Sequence, residues 1–274
     1  MTATILEALL SAIREREPVA LVTVVEGPSS GAKALVTPSS VLGSFGNDAL
    51  DRATVGDARA MLVNGTTGIR HYGPEGEERG DALEVFVQSF APPPRMYVFG
   101  AIDFSRATVR IGKLLGYHVT LCDARATFAT RKRFPEADEI VVRWPHEFLA
   151  EAPVDERTAL CVLTHDPKFD VPLLMAAVRT PAAYIGAMGS RRTHGNRIRR
   201  LQAEGVGADD VRRIRGPIGL DIGARTPEEV AVAIAAEIIA LRYRKRAVSL
   251  SERSGPIHGQ RYGGRDLERE AATS

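Results

Sequence analysis

Two adjacent arginines follow a glycine turn at the point where a strand is expected to give way to a helix. The apolar run at residues 182–185 predicts a short buried strand, which stops before Gly189 and Ser190. Ser190 is a favourable N-cap, and the free N–H groups of the first helical turn would face the same space as Arg191 and Arg192. These positive groups together predict an anion site, suited to phosphate or carboxylate.

The helix that begins there is basic along its length. Residues 191–215 contain eight arginines and three acidic residues, and eight minus three leaves five positive charges. We interpret most of these arginines, Arg197 among them, as a solvated helix face, because charged side chains seldom lie inside a protein. Of these eight arginines, we expect only Arg191 and Arg192 to bind the anion.

A second candidate site begins where the apolar strand at residues 96–99 ends at Gly100. Asp123 closes the next expected strand, at about the distance along the chain where Rossmann sites place the acid that binds a ribose. Ile102, however, stands where a second glycine would let a pyrophosphate approach the backbone. Asp103 adds negative charge at the start of the next helix, which would repel a phosphate. We therefore expect a Rossmann fold whose first turn binds dinucleotides poorly.

A third group of polar residues follows another expected strand. Thr164, His165 and Asp166 should reach the same carboxyl edge of the sheet as Asp123 and Arg125, and that edge is where doubly wound sheets bind ligands. His165 and Asp166 are candidates for a general base and its orienting partner, or for a pair of ligands. Equally, Asp166 could cap the next turn while His165 packs against its neighbours.

The overall composition argues against several classes of protein. The chain has 274 residues, 44% of them hydrophobic, which allows one large domain or two ordinary ones. Its net charge of +2, left by 36 basic and 34 acidic residues, argues against general nucleic-acid binding. No secretory signal opens the chain and no apolar run is long enough for a bilayer, so we expect a soluble cytoplasmic protein with no membrane partner.

The cysteines and histidines lack the spacing of a metal site. Cys122 and Cys161 lie in apolar, strand-like runs and are expected to be small buried residues in a reducing compartment. The histidines share no ligand spacing with one another or with the cysteines. We therefore expect no structural zinc.

Three consecutive prolines mark a division of the chain. They cannot continue a hydrogen-bonded ladder, so we place a linker at residues 91–95. Residues 1–90 carry the mixed helix and strand patterns of a small α+β domain. Residues 96–248 alternate strands with helices, which predicts an α/β, Rossmann-like domain with a parallel sheet and helices on both faces. Residues 249–274 are polar and glycine-rich, and we expect them to form a tail.

The last strong helix pattern begins with a capping sequence. Thr226, Pro227 and Glu229 occupy the cap, first and third positions of that helix. Residues 230–241 are then apolar on nearly every side. This pattern predicts a buried helix, covered in part by another subunit.

Several segments of the chain together resemble one protein family. They are residues 99–123, LTHDPKFDVPLL at 163–174, AYIGAMGSRRTH at 183–194, residues 213–241 and GPIHGQRYGG at 255–264. These segments are similar to the XdhC/CoxI family, the accessory proteins of molybdoenzymes of the xanthine dehydrogenase and carbon monoxide dehydrogenase type. The resemblance is close in the Rossmann half and looser in the N-terminal half.

The resemblance implies a maturation factor rather than a catalyst. Such a protein binds molybdenum cofactor transiently, as molybdopterin or its cytosine dinucleotide, assists its sulfuration and delivers it to an apo-molybdoenzyme. A homodimer and a cysteine desulfurase partner are implied as well. With the residues identified above, this gives a set of candidate cofactor-binding residues: Gly100, Asp103, Asp123, Arg125, Thr164, His165, Asp166, Gly189, Ser190, Arg191 and Arg192.

The chain departs from the family pattern at three places. Family members typically carry G-S-x-S-G-G-C, C-G-G and G-A-G-H, whereas this chain has GSFGND at residues 43–48, ERGD at 78–81 and GAID at 100–103. We therefore expect no cysteine persulfide in the N-terminal domain. Two alternatives stay open: an NAD(P)-dependent oxidoreductase that uses His165 and Asp166, and a ligand-free interaction protein that keeps the fold.

Overall fold

The computed structural model describes residues 3–73, 76–77, 82–164, 166–252 and 254. The chain divides into an N-terminal unit that ends at Pro92 and a C-terminal unit that begins at Pro93. His165 and nearly all of the expected tail at residues 249–274 lie outside the described residues, apart from a short 3-10 helix at Leu250–Glu252. No helix in the described part of the chain has the length and apolar character needed to cross a membrane.

The N-terminal unit is built on an antiparallel sheet. The elements are α1 (Ala3–Glu15), β1 (Val19–Glu26), β2 (Lys33–Val36), β3 (Val41–Leu42), α2 (Asp48–Asn64), β4 (Gly68–Tyr72) and β5 (Leu83–Phe90). The strand order is β3-β2-β1-β5-β4, and β1 alternates buried and less buried residues, as expected where one face of a sheet is covered. Its larger core cluster joins α2 to the sheet.

The C-terminal unit contains a six-stranded sheet in which all paired strands run parallel. The elements are β6 (Arg95–Phe99), α3 (Asp103–Leu114), β7 (His118–Cys122), β8 (Glu139–Val141), α4 (Pro145–Glu151), β9 (Ala159–Val162), α5 (Pro167–Ala177), β10 (Tyr184–Ala187), α6 (Arg191–Ala203), α7 (Ala208–Arg212), β11 (Ile214–Arg215) and α8 (Pro227–Arg242). The strand order is β11-β10-β9-β6-β7-β8. The chain adds strands on one side of β6 and then, from β9 onward, on the other. The crevice between β6 and β9 is therefore a topological switch point.

Helices cover both faces of this sheet. Along β6, Tyr97 and Phe99 belong to a core cluster shared with α4, α5 and α6, whereas Met96 and Val98 belong to a second cluster shared with α3 and α8. This alternation follows from the period of two in a β-strand. The predicted fold class, a Rossmann-like parallel sheet with helices on both faces preceded by a smaller α+β region, is confirmed.

One detail differs from the sequence-based expectations, and one expectation stays a prediction. Arg95, placed at the end of the linker, is the first residue of β6 and pairs with His118, because the carbonyl of Pro94 can still accept a hydrogen bond although proline cannot donate one. Helix α8 is buried on one side within this chain, and on its other side Val232 is 49% exposed and Ile239 is 41% exposed. The expectation that another subunit covers part of α8 stays a prediction.

We predict that the sheet's helical layer depends on close packing at α5. Leu174 is fully buried there, so Leu174→Ala should lower the free energy of unfolding by about 2–5 kcal/mol through lost burial and a residual cavity. Leu114→Ala is the matched control, since Leu114 is 78% exposed. Urea unfolding of the two variants should separate them clearly, and equal midpoints would contradict this packing.

Candidate functional site

The switch point brings Gly100 against Thr164. Gly100 has φ +103°, and a Cβ built on it would lie 2.6 Å from Cγ2 of Thr164 and 3.1 Å from its backbone nitrogen. Any side chain at Gly100 would therefore push β6 and β9 apart in addition to adopting a strained backbone. The contact between the two strand ends is enough to require this glycine, whether or not a ligand approaches it.

Asp123 fixes the turn that follows β6. Its side chain is buried, and its Oδ2 accepts hydrogen bonds from the backbone N–H of Ala101 at 2.6 Å and from Nη2 of Arg125 at 2.8 Å. Its Oδ1 accepts from the backbone N–H and the Nε of Arg125, both at 2.9 Å. The carboxylate expected to bind a ribose thus already accepts four hydrogen bonds within the protein.

The same contacts determine how Asp123 titrates. Burial alone would raise the pKa of this carboxyl, but the hydrogen bonds from Arg125 and the backbone of Ala101 outweigh burial and hold the pKa below its usual range. Asp123 is therefore charged at neutral pH, and its negative charge is matched by the guanidinium of Arg125.

Two guanidinium groups lie beside the turn where Asp103 was expected to repel phosphate. Asp103 is 90% exposed, and Nη2 of Arg133 lies 3.4 Å from its Oδ1. The guanidinium groups of Arg125 and Arg133 lie 4.7 and 5.7 Å from the ring centroid of Phe128. The sequence analysis argued repulsion from Asp103 and placed Arg125 at the same edge, but it did not identify Arg133, which comes from later in the chain. The turn at residues 100–103 is therefore less negative than its sequence, which contains only the charge of Asp103, indicates.

A buried ion pair connects the ends of β9 and β10. Arg197 donates from Nη2 to Asp170 Oδ2 at 2.7 Å and to the carbonyl of Met188 at 2.8 Å, and both charged side chains are only 3% exposed. The hydroxyl of Thr164 donates to the other oxygen of Asp170. Thr164 at the end of β9 is thus linked through α5 and α6 to the residue that precedes Gly189.

The interpretation of Arg197 as part of a solvated face is wrong. Arg197 lies four residues after Thr193 and four before Leu201, so the three share one side of α6, and Leu201 is fully buried. That spacing could have indicated from the sequence that Arg197 is buried. The burial was missed because a guanidinium is buried only where a partner such as Asp170 lies opposite, and this partner is distant in sequence.

Asp166 acts as the N-cap of α5. Its Oδ1 accepts a hydrogen bond from the backbone N–H of Lys168 at 3.0 Å, while its side chain remains at the surface. Since His165 is outside the described residues, the hypothesis that His165 and Asp166 act as base and orienting partner stays a prediction.

The turn between β10 and α6 presents two exposed arginines. Gly189 has φ +140°, and Ser190 caps α6 by accepting from the backbone N–H of Thr193 at 3.1 Å. Arg191 is 89% exposed, and its ion pair with Asp221 spans 3.8 Å between two exposed side chains. Such a pair is weak in water, so an anion can compete for Arg191. Arg192 is exposed beside it.

The candidate residues therefore lie along one edge of the sheet in three groups. Gly100, Asp123 and Arg125 are at β6 and β7, Thr164 and Asp166 follow β9, and the group 189–192 follows β10. The contact between Gly100 and Thr164 joins the first group to the second, and the Asp170–Arg197 pair joins the second to the third.

The two cysteines are poor metal or sulfur ligands. Burial raises the pKa of both Cys122 and Cys161 to about 12, so both thiols stay protonated at neutral pH. Within the described residues, no group of three or more His, Cys, Asp or Glu side chains could hold a metal ion. The exposed donors at this edge are the arginines Arg191 and Arg192 and the backbone N–H groups at the start of α6.

Comparison with known families agrees with this architecture. Residues 96–238 match the family model described as the XdhC Rossmann domain, and residues 12–73 match the model of the XdhC and CoxI family. The chain belongs to the XdhC family. The resemblance stated from the sequence is confirmed.

Three curated relatives share part of this XdhC-family sequence. A Bacillus subtilis protein named as a probable xanthine dehydrogenase subunit is 32% identical over 164 residues, 60% of this chain and 48% of the relative. The uncharacterized Escherichia coli protein YqeB is 26% identical over 237 residues, 82% of this chain and 44% of the relative. The molybdenum cofactor insertion chaperone PaoD of E. coli is 28% identical over 169 residues, 62% and 46% of the two chains. This chain spans less than half the length of each.

A solved structure supports the fold. The crystal structure of a xanthine dehydrogenase from Bacillus halodurans superposes with a TM-score of 0.63 at 24% identity, covering 87% of this chain and 66% of that one. At that identity the likeness concerns the fold alone.

The buried ion pair gives a stability prediction. Arg197→Met should leave the buried Asp170 carboxylate without its charged partner and lower the free energy of unfolding by about 3–5 kcal/mol. Arg212→Met is the matched control, because Arg212 pairs with Asp209 at the surface and should change stability by less than about 1 kcal/mol. Thermal unfolding of both variants measures the difference. Similar losses in the two would show that burial of the pair is unimportant.

The lowered pKa of Asp123 gives a pH dependence with a definite sign. Its contribution to stability is fully present above the usual pKa of 3.8 and is lost as the pH falls through the lower folded-state value. Asp123→Asn removes this contribution at neutral pH, so the gap in unfolding free energy between wild type and variant should narrow below pH 3.8. Urea titrations across the acid range measure that gap. A gap that stays constant in acid would contradict the assignment.

Proposed function

We propose that this XdhC-family protein is an accessory factor that binds molybdenum cofactor and assists its sulfuration and insertion into a xanthine dehydrogenase- or carbon monoxide dehydrogenase-type enzyme. The observation that carries the proposal is the exposed Arg191–Arg192 pair at the start of α6, on the ligand-binding edge of the sheet. One curated relative bears the name of a molybdenum cofactor insertion chaperone, which is consistent with this role.

The donors at this edge fit the phosphate-bearing part of the cofactor as cargo. Arg191 and Arg192 provide charge-assisted hydrogen bonds, and the start of α6 adds the positive end of a helix dipole. Gly189 lets the backbone turn with φ +140°, a conformation that L side chains rarely adopt. Arg125 and Arg133 place two further guanidinium groups near β7, paired with Asp123 and Asp103 respectively.

The absence of a reactive thiol shapes the proposed role. The chain's two cysteines are buried and protonated, so the chain's own residues hold and shield the cofactor, and the sulfur comes from elsewhere. We propose a cysteine desulfurase as the sulfur source and an apo-molybdoenzyme as the recipient. A homodimer is part of the same proposal, with the exposed side of α8 as its interface. The protein itself carries cargo and catalyses no turnover of a small substrate.

The anion site is tested by removing its two cations. Arg191→Ala with Arg192→Ala should weaken binding of molybdenum cofactor, released from a purified molybdoenzyme, by roughly tenfold or more, because charge-assisted hydrogen bonds are lost. Equilibrium dialysis under anaerobic conditions measures the affinity.

The matched control removes two other exposed arginines of the same basic region, Arg199 and Arg212. This variant has the same net charge as the test variant, so general electrostatic attraction falls equally in both. Unchanged affinity in the Arg191/Arg192 variant, or an equal loss in the two variants, would exclude the proposed site.

A further inference from the structure

An aromatic pair lies at the carboxyl edge of the Rossmann sheet, apart from the residues assigned above. Trp144, the chain's single tryptophan, closely follows β8 and occupies the N-cap position of α4. Phe169 is in the first turn of α5. The ring centroids of Trp144 and Phe169 are 5.1 Å apart with planes inclined by 33°, and both residues are half-buried.

Backbone contacts place this pair beside the candidate site. The N–H of Asp123 donates to the carbonyl of Val141 at 3.1 Å, and the thiol of Cys122 lies 3.5 Å from the carbonyl of Arg143, so Trp144 adjoins the end of β7. On the other side, the N–H of Phe169 donates to the carbonyl of Asp166 at 3.0 Å. The two rings thus extend between the end of β7 and the end of β9.

A flexible cation covers the indole. Nζ of Lys168 lies 5.0 Å from the centroid of the Trp144 ring, and Lys168 is exposed. A lysine ammonium on a flexible stem is readily displaced by a flat ring and can then contact that ring's oxygen atoms or an attached phosphate. A ligand ring can therefore replace Lys168 on the face of the indole.

We propose that Trp144, supported by Phe169, is the stacking surface for a flat nitrogen heterocycle of the bound cofactor, with Lys168 contacting its oxygen atoms. This inference rests on the proposed function, since it concerns the same edge of the sheet. The heterocycle is either the pterin or the base of a dinucleotide form, because both contain a flat π ring that can stack on the indole.

The position of Trp144 also constrains the shape of the ligand. Four strand spacings separate the carboxyl ends of β8 and β10, which amounts to about 19 Å. A ligand that contacts Trp144 and Arg191 together must be extended, with its ring and one phosphate well apart. Arg125 contacts Asp123 after β7 and Arg133 contacts Ala101 after β6, and both of these strands lie between β8 and β10.

The single tryptophan provides a direct measurement. We expect titration with molybdenum cofactor to quench the indole fluorescence of the full chain. Two further titrations, one with a free pterin and one with cytidine diphosphate, test the two candidate rings separately. Calorimetry on the same samples gives the affinity independently of the optical signal. Quenching by the pterin alone or by the nucleotide alone identifies which ring stacks.

Variants separate stacking from folding. Trp144→Leu should weaken calorimetric binding by roughly 5- to 100-fold, the range found when an aromatic stacking partner is removed, whereas Trp144→Phe should keep most of the affinity. Leu114→Ala is the control, because Leu114 is an exposed apolar residue at the C-terminal end of α3, away from the carboxyl edge of the sheet. Matching thermal unfolding of the variants and wild type shows that the fold is intact.

The outcomes also distinguish this inference from the proposed function. Binding of the cofactor by calorimetry without quenching, or with equal affinity in Trp144→Leu and wild type, overturns the stacking surface and leaves the proposed function in place. No calorimetric binding of the cofactor by wild type overturns both.

Discussion

The ion pair between Arg197 and Asp170 holds the carboxyl edge of the Rossmann sheet in one arrangement. Both charges are buried, so neither can leave its partner without a large desolvation cost. Through Thr164 and the carbonyl of Met188, the pair fixes the ends of β9 and β10 relative to α5 and α6. The direction in which α6 begins, and with it the position of Arg191 and Arg192, follows from this buried contact.

The same arrangement separates buried, paired charges from exposed ones. The acidic residues Asp123 and Asp170 are buried and matched by arginines, so their negative charge is satisfied inside the protein. Arg191 and Arg192 instead stand in water with at most a weak partner. Because these two carboxylates are satisfied internally, the exposed guanidinium groups of Arg191 and Arg192 remain accessible to an anionic ligand, with the exposed Asp221 as a weak competitor. This is the physical basis for proposing a phosphate-bearing cargo.

Much of the fold was predictable because local rules and tertiary packing agree. The strand and helix alternation, the Ser190 cap and the Thr226 capping box all correspond to observed features. The start of β6 was placed one residue late, at Met96 instead of Arg95. That error arose because Arg95, although it follows a proline, can still pair with His118 on β7, whose N–H donates to the carbonyl of Pro94.

The site was less predictable because its contacts join residues far apart in sequence. Asp123 and Arg125 were identified from their position after a strand, but their mutual pairing and the contact with Ala101 depend on the folded turn. Arg197 has the sequence pattern of surface charge, and only the fold places Asp170 opposite it. The Trp144–Phe169 pair joins α4, which the sequence did not predict, to the start of α5.

The central claim is that this chain carries molybdenum cofactor. Protein purified without oxygen from cells that synthesise the cofactor can be oxidised, and the released pterin products identified and counted by mass spectrometry. The account predicts a molybdopterin-derived product in an amount comparable to the protein, absent when the same chain is made in cells that cannot synthesise the cofactor. Protein that binds its client enzyme yet releases no such product from either source would contradict the account.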